Sequence, residues 1–349
     1  MHQNLILQSF YENRYIPSED PKPAENINGP HFFLPKSKEN LTTVNEFLLL
    51  GLTYVEELQP VIFMVFLILY VINLLGNGAI LVVVISEPRL HSPMYFFLGN
   101  LSCLDICYAS VILPKLMSTI LSSHRTISFQ GCITQLHFFH FLGCTESLLL
   151  AIMGFDRFMA ICNPLRYPLI MNSQLCVLLA VMAWITSFFY ALIHSVMTAR
   201  LSFCHSQKLN YYFCDVKPLL ELACGDIRIN QWLISIVTCI IAMMACLLTF
   251  LSYFYIIGFL LLKNRSCNAL QKAMSTCASH FMVVSLFYGT VGLTYIPPTA
   301  AASFIEQRLV GIIHTTITPV LNPLIYTLRN KEVMLALDRV FRRKLKLFA

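Results

Sequence analysis

Five stretches of this chain are long enough to cross a lipid bilayer and contain no charged side chain. They are residues 58–86, 167–199, 229–262, 273–305 and 309–328. Because an α-helix rises about 1.5 Å per residue, about 20 residues cross the roughly 30 Å of hydrocarbon in a bilayer. These stretches predict five membrane-spanning helices.

Two further apolar segments contain a single acid each. Asp105 lies within residues 94–114, and Glu146 lies within residues 129–154. One carboxylate costs about 3 kcal/mol at the centre of an inserting helix, which a long apolar segment offsets. The total is therefore seven predicted spans.

The composition excludes a water-soluble fold. Hydrophobic residues make up 57% of the chain and charged residues only 12%, whereas soluble domains have roughly 25% charged residues. The predicted fold is an all-α membrane protein, a seven-transmembrane helix bundle at residues 58–328, without a separate soluble domain.

Basic residues set the predicted orientation in the membrane. Lys and Arg outnumber Asp and Glu in the segments 86–93, 155–173, 259–273 and 329–349 taken together. The positive-inside rule places these segments in the cytoplasm, so the N-terminus is predicted to be extracellular and the C-terminus cytoplasmic. The net charge of +6 then reflects topology, and no basic face with interleaved aromatic residues suggests nucleic-acid binding.

The two ends of the chain are predicted to lie outside the bundle. Residues 1–57 form an extracellular tail, of which residues 1–38 are polar, lack the hydrophobic region of a signal peptide and are expected to be disordered. Asn40 begins an Asn-Leu-Thr sequon and is predicted to carry a glycan. Residues 329–349 form a basic cytoplasmic tail with a short amphipathic helix, which would meet anionic membrane lipid.

Four of the 13 cysteines face the oxidising side in this topology. Cys132 begins the third span, and Cys204, Cys214 and Cys224 lie in the loop after the fourth. They can form two disulfides, and the sequence alone leaves the three possible pairings open. The other nine are expected to be buried thiols. No CxxC or closely spaced Cys/His set predicts a metal site on the outer face.

Two motifs on the cytoplasmic side can carry a conformational switch. Asp156 can hold Arg157 in one state and release it in another; an ion pair that only sets the depth of the helix is the alternative. Asn322-Pro323 interrupts the backbone hydrogen bonds of the seventh span, and Asn322 can supply an amide to the freed carbonyl. The spacing from Asn322 to Tyr326 favours a hinge over a purely structural bend.

Asp105 and Glu146 are the acids predicted to lie within spans, where an ionisable group is a functional candidate. Three interpretations compete: a cation site shared with Asn77 and hydroxyls such as Ser147, a proton relay, or a catalytic pair. The sequence lacks the Tyr-Asp and Gly-x-Gly-Asp elements of intramembrane proteases, which favours the cation site.

Seven motifs occur in the order and spacing of one receptor family. They are Leu-Gly-Asn-Gly (75–78), Pro-Met-Tyr-Phe-Phe-Leu (93–98), Leu-Ser-Cys-Leu-Asp (101–105), Asp-Arg-Phe-Met-Ala-Ile-Cys (156–162), Ser-Tyr (252–253), Lys-Ala-Met-Ser-Thr-Cys-Ala-Ser-His (272–280) and Pro-Val-Leu-Asn-Pro-Leu-Ile-Tyr-Thr-Leu-Arg-Asn-Lys (319–331). Residues 40–345 thereby resemble a vertebrate olfactory receptor of the larger, tetrapod-type class II, within the rhodopsin-like G-protein-coupled receptors.

The resemblance implies disulfides Cys132–Cys214 and Cys204–Cys224, a bound sodium ion, and a stimulatory olfactory-type G protein as the partner that raises cyclic AMP. It also implies functional roles for two sets of residues: the sodium site at Asp105 and Glu146, and the G-protein coupling and switch set at Asp156, Arg157, Tyr253, His280, Asn322, Pro323 and Tyr326. Phe155 and Phe158 depart from the tyrosines usual in the family, which puts coupling efficiency and basal activity in question.

A candidate ligand pocket lies in the outer half of the bundle. On the third span, the spacing of Phe139, His140, Gly143 and Cys144 places them on one helical face. Positions that line the family's pocket match further residues on the fifth and sixth spans, Thr238, Tyr288 and Val291. Core packing is the alternative for each of them, and His140 could equally be a core histidine. The face predicts a small, neutral, largely hydrophobic odorant.

Other functions fit the sequence less well. A rhodopsin-like receptor for a non-odorant ligand is the nearest alternative, although Phe139 and His140 stand where an amine receptor would place an acid. A channel or transporter is less compatible, because the seven spans show no internal repeat. No catalytic motif appears at workable spacing, so the chain is predicted not to be an enzyme.

Overall fold

The computed structural model describes residues 44–52, 56–122, 125–203, 207–262, 267–295, 304–328 and 330–348. Seven of its helices are long and apolar enough to cross a membrane. They are α1 (Gln59–Ser86), α2 (Pro93–Leu121), α3 (Phe129–Cys162), α4 (Ser173–Ala199), α5 (Thr238–Leu262), α6 (Cys267–Tyr295) and α7 (Thr318–Leu328, continuous with the preceding helical segments). The predicted seven-helix bundle is therefore confirmed.

Two of the spans are preceded by a π-helical turn. Arg228–Trp232 and the π turn Leu233–Val237 lead into α5. Phe304–Ile312 and the π turn Ile313–Ile317 lead into α7. A π turn inserts one extra residue into a helix and shifts the faces that follow it, which the charge pattern did not reveal.

A capping residue, rather than a charge, sets the start of α4. The charge-free run 167–199 contains a short helix at Tyr167–Ile170, and α4 begins only at Ser173, because the Asn172 side chain accepts a hydrogen bond from the Leu175 N–H at 2.9 Å. In the other direction, α2 and α3 continue beyond the predicted ends at residues 114 and 154.

Helix α3 is the central element of the bundle. It packs against α2, α4 and α5 and buries side chains from Cys132 to Cys162. Helices α1, α4 and α5 instead turn large apolar side chains outward, among them Leu75, Phe254 and Leu262. A continuous apolar exterior of this kind is stable against lipid and not against water.

Five short strands lie where the α2–α3 and α4–α5 loops meet the segment before α1. They are β1 (Glu46–Leu49), β2 (Thr126–Ser128), β3 (Ser202–Phe203), β4 (Lys208–Leu209) and β5 (Ala223–Cys224). β1 pairs antiparallel with β2 and parallel with β4, and β3 pairs antiparallel with β5. We call this end of the bundle the strand end. The sequence did not predict these strands, and part of the expected tail, residues 46–49, is therefore ordered.

The opposite end, which we call the tail end, carries the C-terminal helix α8 (Lys331–Phe348). Val333 and Ala336 of α8 are fully buried, whereas Met334 and Leu335 are exposed, as expected of the predicted amphipathic helix. The Tyr95 hydroxyl of α2 donates to Glu332 at 2.7 Å and fixes the start of α8. Residues 1–38 and Asn40 lie outside the described residues, so disorder and glycosylation there stay predictions.

A disulfide joins α3 to the α4–α5 loop. Cys132 and Cys214 are bonded, as the resemblance implied. Cys224 is also disulfide-bonded, but Cys204 lies outside the described residues and its pairing stays a prediction. After Cys214, the loop forms the short helix Val216–Leu222, which Asp215 begins as its N-cap.

Removing the Cys132–Cys214 bond should prevent the strand end from assembling. A bridge that spans 82 residues stabilises a fold by about 2–4 kcal/mol, a large part of the total stability of a domain. We expect Cys132→Ser, Cys214→Ser and the double variant to lower cell-surface expression severalfold, measured by flow cytometry. Cys107→Ser is the control, since Cys107 is a free cysteine of α2 that is exposed, contrary to the expectation of a buried thiol. Surface levels of the double variant equal to those of Cys107→Ser would contradict the expectation.

Candidate functional site

A small cavity of about 60 Å³ lies between the helices in the half of the bundle nearer the strand end. Helix α3 supplies five of the lining residues, and the other helices supply eight more. They are Phe139, His140, Gly143, Cys144 and Ser147 of α3, and Tyr108, Tyr190, Thr238, Ile241, Ala242, Phe287, Val291 and His314 of the others. No lining residue carries a formal charge unless a histidine is protonated.

Six of the seven predicted pocket residues line this cavity, and the exception is Tyr288. The Tyr288 hydroxyl donates to the Ser147 carbonyl at 3.1 Å and lies 3.2 Å from the Ser147 hydroxyl. Because Ser147 itself lines the cavity, Tyr288 supports the wall from behind.

Several residues that line the cavity were not predicted, because the sequence does not fix the rotation of the helices that carry them. Tyr108 of α2 packs its ring 5.6 Å from that of Phe139 and 5.9 Å from that of His314. The Tyr190 and Thr238 side chains hydrogen-bond to each other at 2.6 Å across α4 and α5. The aromatic rings form one part of the cavity wall, and this hydrogen bond joins α4 to α5 at another part.

His140 meets an acid from the disulfide-bearing loop. Its Nε2 lies 3.2 Å from Asp215 Oδ1, although the angle at Nε2 departs from that of an aligned hydrogen bond. The Val216 N–H donates to the same carboxylate at 2.7 Å. Burial alone would raise the pKa of the Asp215 carboxyl, but the contact with His140, the Val216 N–H and the charge of Lys217 together lower it below its usual value.

The two predicted intramembrane acids are buried in the middle of the bundle, 1% and 2% exposed. Asn322 donates to both carboxylate oxygens of Asp105, at 3.2 and 3.1 Å. Glu146 Oε1 and Asn322 Oδ1 are buried without a hydrogen-bond partner. Acceptor oxygens left in this way suit a small hard cation. Among the described residues, no cluster of three or more His, Cys, Asp or Glu side chains could hold a metal ion.

Pro323 of α7 leaves one backbone carbonyl without its helical N–H donor, and a side chain of α1, rather than Asn322, donates to that carbonyl. Pro323 has no N–H to give to the Pro319 carbonyl one turn earlier. The Asn77 amide donates to that carbonyl at 3.2 Å, whereas the Asn322 amide donates to Asp105. The proposed pairing of Asn322 with the freed carbonyl is therefore wrong. The two helices also touch here, since a Cβ on Gly76 would lie 3.2 Å from Pro323 Cγ.

At the tail end, Asp156 and Arg157 form an ion pair. The Arg157 guanidinium donates to Asp156 Oδ2, through Nε at 3.1 Å and through Nη2. The Tyr167 hydroxyl donates to Asp156 Oδ1 at 2.7 Å. Burial and this hydrogen bond raise the pKa of Tyr167 above its usual range, so the phenol remains protonated and stays a donor. Asp156 is fully buried and holds Arg157 in place.

The remaining predicted switch residues lie on three neighbouring helices. Tyr253 of α5 shares a short hydrogen bond with Nδ1 of His280 of α6. The hydroxyl of Tyr326 of α7 is buried and has no partner. Phe158 packs edge-on against Tyr255 at 5.2 Å. A small apolar cluster that includes Tyr253 and Cys277, separate from the main core, lies at this end.

Comparison with known proteins decides the family. The sequence model described as "Olfactory receptor" matches residues 66–344. The chain belongs to the olfactory receptor family. It is 71% identical to human olfactory receptor 12D3 over 88% of this chain and 97% of that protein. It is also 62% identical to human olfactory receptor 12D1, over 87% and 95%, and 43% identical to mouse olfactory receptor 1E16, over 89% and 99%.

Membership in this family establishes the general function. An olfactory receptor is a G-protein-coupled receptor of the plasma membrane that responds to odorants, and it is not an enzyme. The channel and transporter interpretations are thereby excluded. The cavity and the ion pair Asp156–Arg157 are accordingly the candidate ligand site and the candidate coupling site of a receptor.

The hydrogen bond from Asn77 to the Pro319 carbonyl can be tested with a double-mutant cycle. Asn77→Ala leaves this carbonyl buried and unpaired, which should cost about 1–3 kcal/mol of stability. Pro323→Ala restores a backbone N–H that can donate to the same carbonyl, so Asn77→Ala should cost less in that background. Thermal unfolding of the purified receptor in detergent measures the four stabilities. An equal cost of Asn77→Ala in both backgrounds would show that the bond does not compensate for the proline.

Proposed function

We propose that this receptor binds small, neutral, largely hydrophobic odorants in the cavity between α3, α5 and α6. Binding activates a stimulatory olfactory-type G protein, which raises cyclic AMP. The observation that carries the ligand class is the lining itself, which is mostly apolar and includes no Asp, Glu, Lys or Arg side chain. A charged odorant would lose its hydration there without gaining a paired charge.

The strand end faces the extracellular side and the tail end faces the cytoplasm. Two observations support this orientation. The Cys132–Cys214 disulfide lies at the strand end, and disulfides form in oxidising compartments. Basic residues are concentrated in the loops and tail of the opposite end. In this orientation, the exposed Arg342 of α8 meets the anionic lipid of the inner leaflet.

Arg157 is the residue that engages the G protein. In the described state its guanidinium is held by Asp156, and Tyr167 holds the other oxygen of the same carboxylate. Activation requires Arg157 to leave Asp156 and point toward the partner. The Tyr253–His280 pair and the unpaired hydroxyl of Tyr326 are the switch groups that exchange partners as the tail end opens.

Asp105 and Glu146 hold a sodium ion. Two buried carboxylates repel each other unless a cation or protons neutralise them. Glu146 Oε1 and Asn322 Oδ1 are oxygen ligands of the kind that sodium takes, and both lack a hydrogen-bond partner in the described structure. When bound, the ion supplies the positive charge that stabilises both acids in their ionised form and the packing of α7 against α2.

The receptor function is tested by measuring cyclic AMP in cells that express the chain with an olfactory-type G protein, against a chemically broad odorant panel. We expect neutral alcohols, ketones or esters to raise cyclic AMP in a dose-dependent manner. Carboxylates and amines should be at least about tenfold less potent, because their charge is desolvated without a partner. Higher potency for charged odorants would contradict the proposed ligand class.

Two variants separate binding from coupling in the same assay. Arg157→Ala should abolish the response at unchanged surface expression, because it removes the coupling group. Gly143→Val should shift potency at least about tenfold, since the added side chain extends into the cavity from a wall position 3.9 Å from the Tyr108 ring. Gly258→Val is the matched control, because a Cβ at Gly258 meets no atom within 4 Å. A full response from Arg157→Ala would contradict the coupling role.

The proposed sodium site makes the stability of the folded receptor depend on whether sodium or potassium is present. Replacing potassium by sodium at constant ionic strength should raise the thermal-unfolding temperature of the purified receptor, because a bound ion stabilises the folded state by mass action. Asp105→Asn and Glu146→Gln should abolish this difference. Asp338→Asn is the control, since Asp338 is an exposed acid paired with Arg342 on α8. Equal unfolding temperatures in the two salts for the unmodified receptor would contradict the site.

A further inference from the structure

Asp215 is a buried acid that contacts His140, one of the residues that line the candidate ligand cavity. It follows Cys214 of the disulfide, and its Oδ1 lies 3.2 Å from His140 Nε2. Asp215 and His140 are 3% and 5% exposed. The contact therefore joins the disulfide-bearing loop to the wall of the cavity in a place that water hardly reaches.

The carboxyl of Asp215 is ionised at neutral pH. Burial acts against ionisation, but the His140 contact, the Val216 N–H at 2.7 Å and the charge of Lys217 lower the pKa of Asp215 below its usual range. An ionised carboxylate accepts hydrogen bonds and donates none. The carboxylate lies 3.2 Å from His140 Nε2 and favours a hydrogen on that nitrogen, although the two groups are not aligned as a hydrogen bond.

This contact determines what the other nitrogen of the His140 ring can offer. In a neutral imidazole with a hydrogen on Nε2, Nδ1 keeps its lone pair and is an acceptor. The ring of His194 of α4 stacks on that of His140, with 5.4 Å between the ring centroids. In this tautomer, Nδ1 of His140 is a hydrogen-bond acceptor on a residue that lines the cavity.

A second polar group at the cavity is a hydrogen-bond donor. The Tyr108 hydroxyl is buried and has no hydrogen-bond partner, so it can donate to a ligand. Tyr190 and Thr238 bond to each other, and the Ser147 hydroxyl lies 3.2 Å from that of Tyr288. The hydroxyl group is the smallest neutral group that both donates to a nitrogen and accepts from a phenol.

We propose that Asp215 is a positioning residue that fixes the tautomer of His140, and that the receptor therefore prefers small hydrophobic alcohols over ketones and ethers of the same carbon skeleton. This inference rests on the proposed function, because it assumes that odorants occupy the cavity. A ketone or an ether accepts from Tyr108 but leaves the lone pair of His140 unpaired in a buried site.

The test compares matched odorants at equal surface expression. Hexanol and octanol are each measured in the cyclic AMP assay beside the methyl ketone and the methyl ether of matching length. We expect the alcohols to be at least about tenfold more potent. Asp215→Asn keeps the size of the side chain and can still cap the loop helix, but its amide N–H can donate to Nε2 and favour the other tautomer. This variant should lose the preference for alcohols, and Asp215→Glu should retain most of it.

Asp226→Asn is the matched control, because Asp226 is an exposed acid of the same loop that pairs with Arg228 at 2.8 Å. It should keep the preference of the unmodified receptor. Ketones or ethers as potent as the alcohols, or an unchanged preference in Asp215→Asn, would overturn the proposal. A purely structural role of Asp215 would lower the response to all compounds equally and leave their ratio unchanged, which also counts against it.

A second measurement needs no odorant. Nitrogen NMR of the purified receptor with labelled histidine distinguishes a ring nitrogen with a lone pair from one with a hydrogen, and His140→Gln assigns the signal. A lone pair on Nδ1 that moves to Nε2 in Asp215→Asn supports the proposal, and a protonated Nδ1 in the unmodified receptor overturns it. Silence to every odorant at full surface expression would instead count against the proposed function, and the NMR result would still decide the tautomer.

Discussion

Hydrocarbon offers no hydrogen-bond partners, so the polar groups inside this bundle must satisfy one another across helices. Asn77 of α1 compensates for the missing N–H of Pro323 in α7, and Asn322 of α7 donates to Asp105 of α2. The polar side chains thereby fix which faces of α1, α2 and α7 meet. Apolar packing alone would leave the rotation of each helix less well determined, because lipid tails and leucine side chains are chemically alike.

The central helix, α3, carries residues of each candidate site. Along α3, the disulfide at Cys132, the cavity wall at His140, the acid Glu146 and the ion pair at Asp156 follow one another from the strand end to the tail end. Helix α3 is 34 residues long and surrounded by the other helices. In the proposed function, a ligand at one end and a G protein at the other act on this one helix.

The spans and the pocket face of α3 were predictable because they depend on local patterns. Charges mark the limits of apolar runs, and helical spacing places Phe139, His140 and Gly143 on one face. The lining residues Tyr108 and His314 were not predictable in this way, since their positions depend on the rotation of α2 and on a π turn before α7. The strands were missed because β1 is only four residues long and pairs with two distant loops. Asp215 was missed because only the folded loop brings it to His140.

Gly76 of α1 and Pro323 of α7 lie far apart in the sequence, but their side-chain positions adjoin the same small space between the two helices. With 3.2 Å between a Cβ at position 76 and the proline ring, any side chain on α1 at this point competes with the ring for the same space. A larger residue at position 76 is accommodated only where the proline ring shifts by a few tenths of an ångström or is absent. Among receptors with this proline, position 76 should therefore be restricted to the smallest residues, and relaxation of that restriction should accompany loss of the proline.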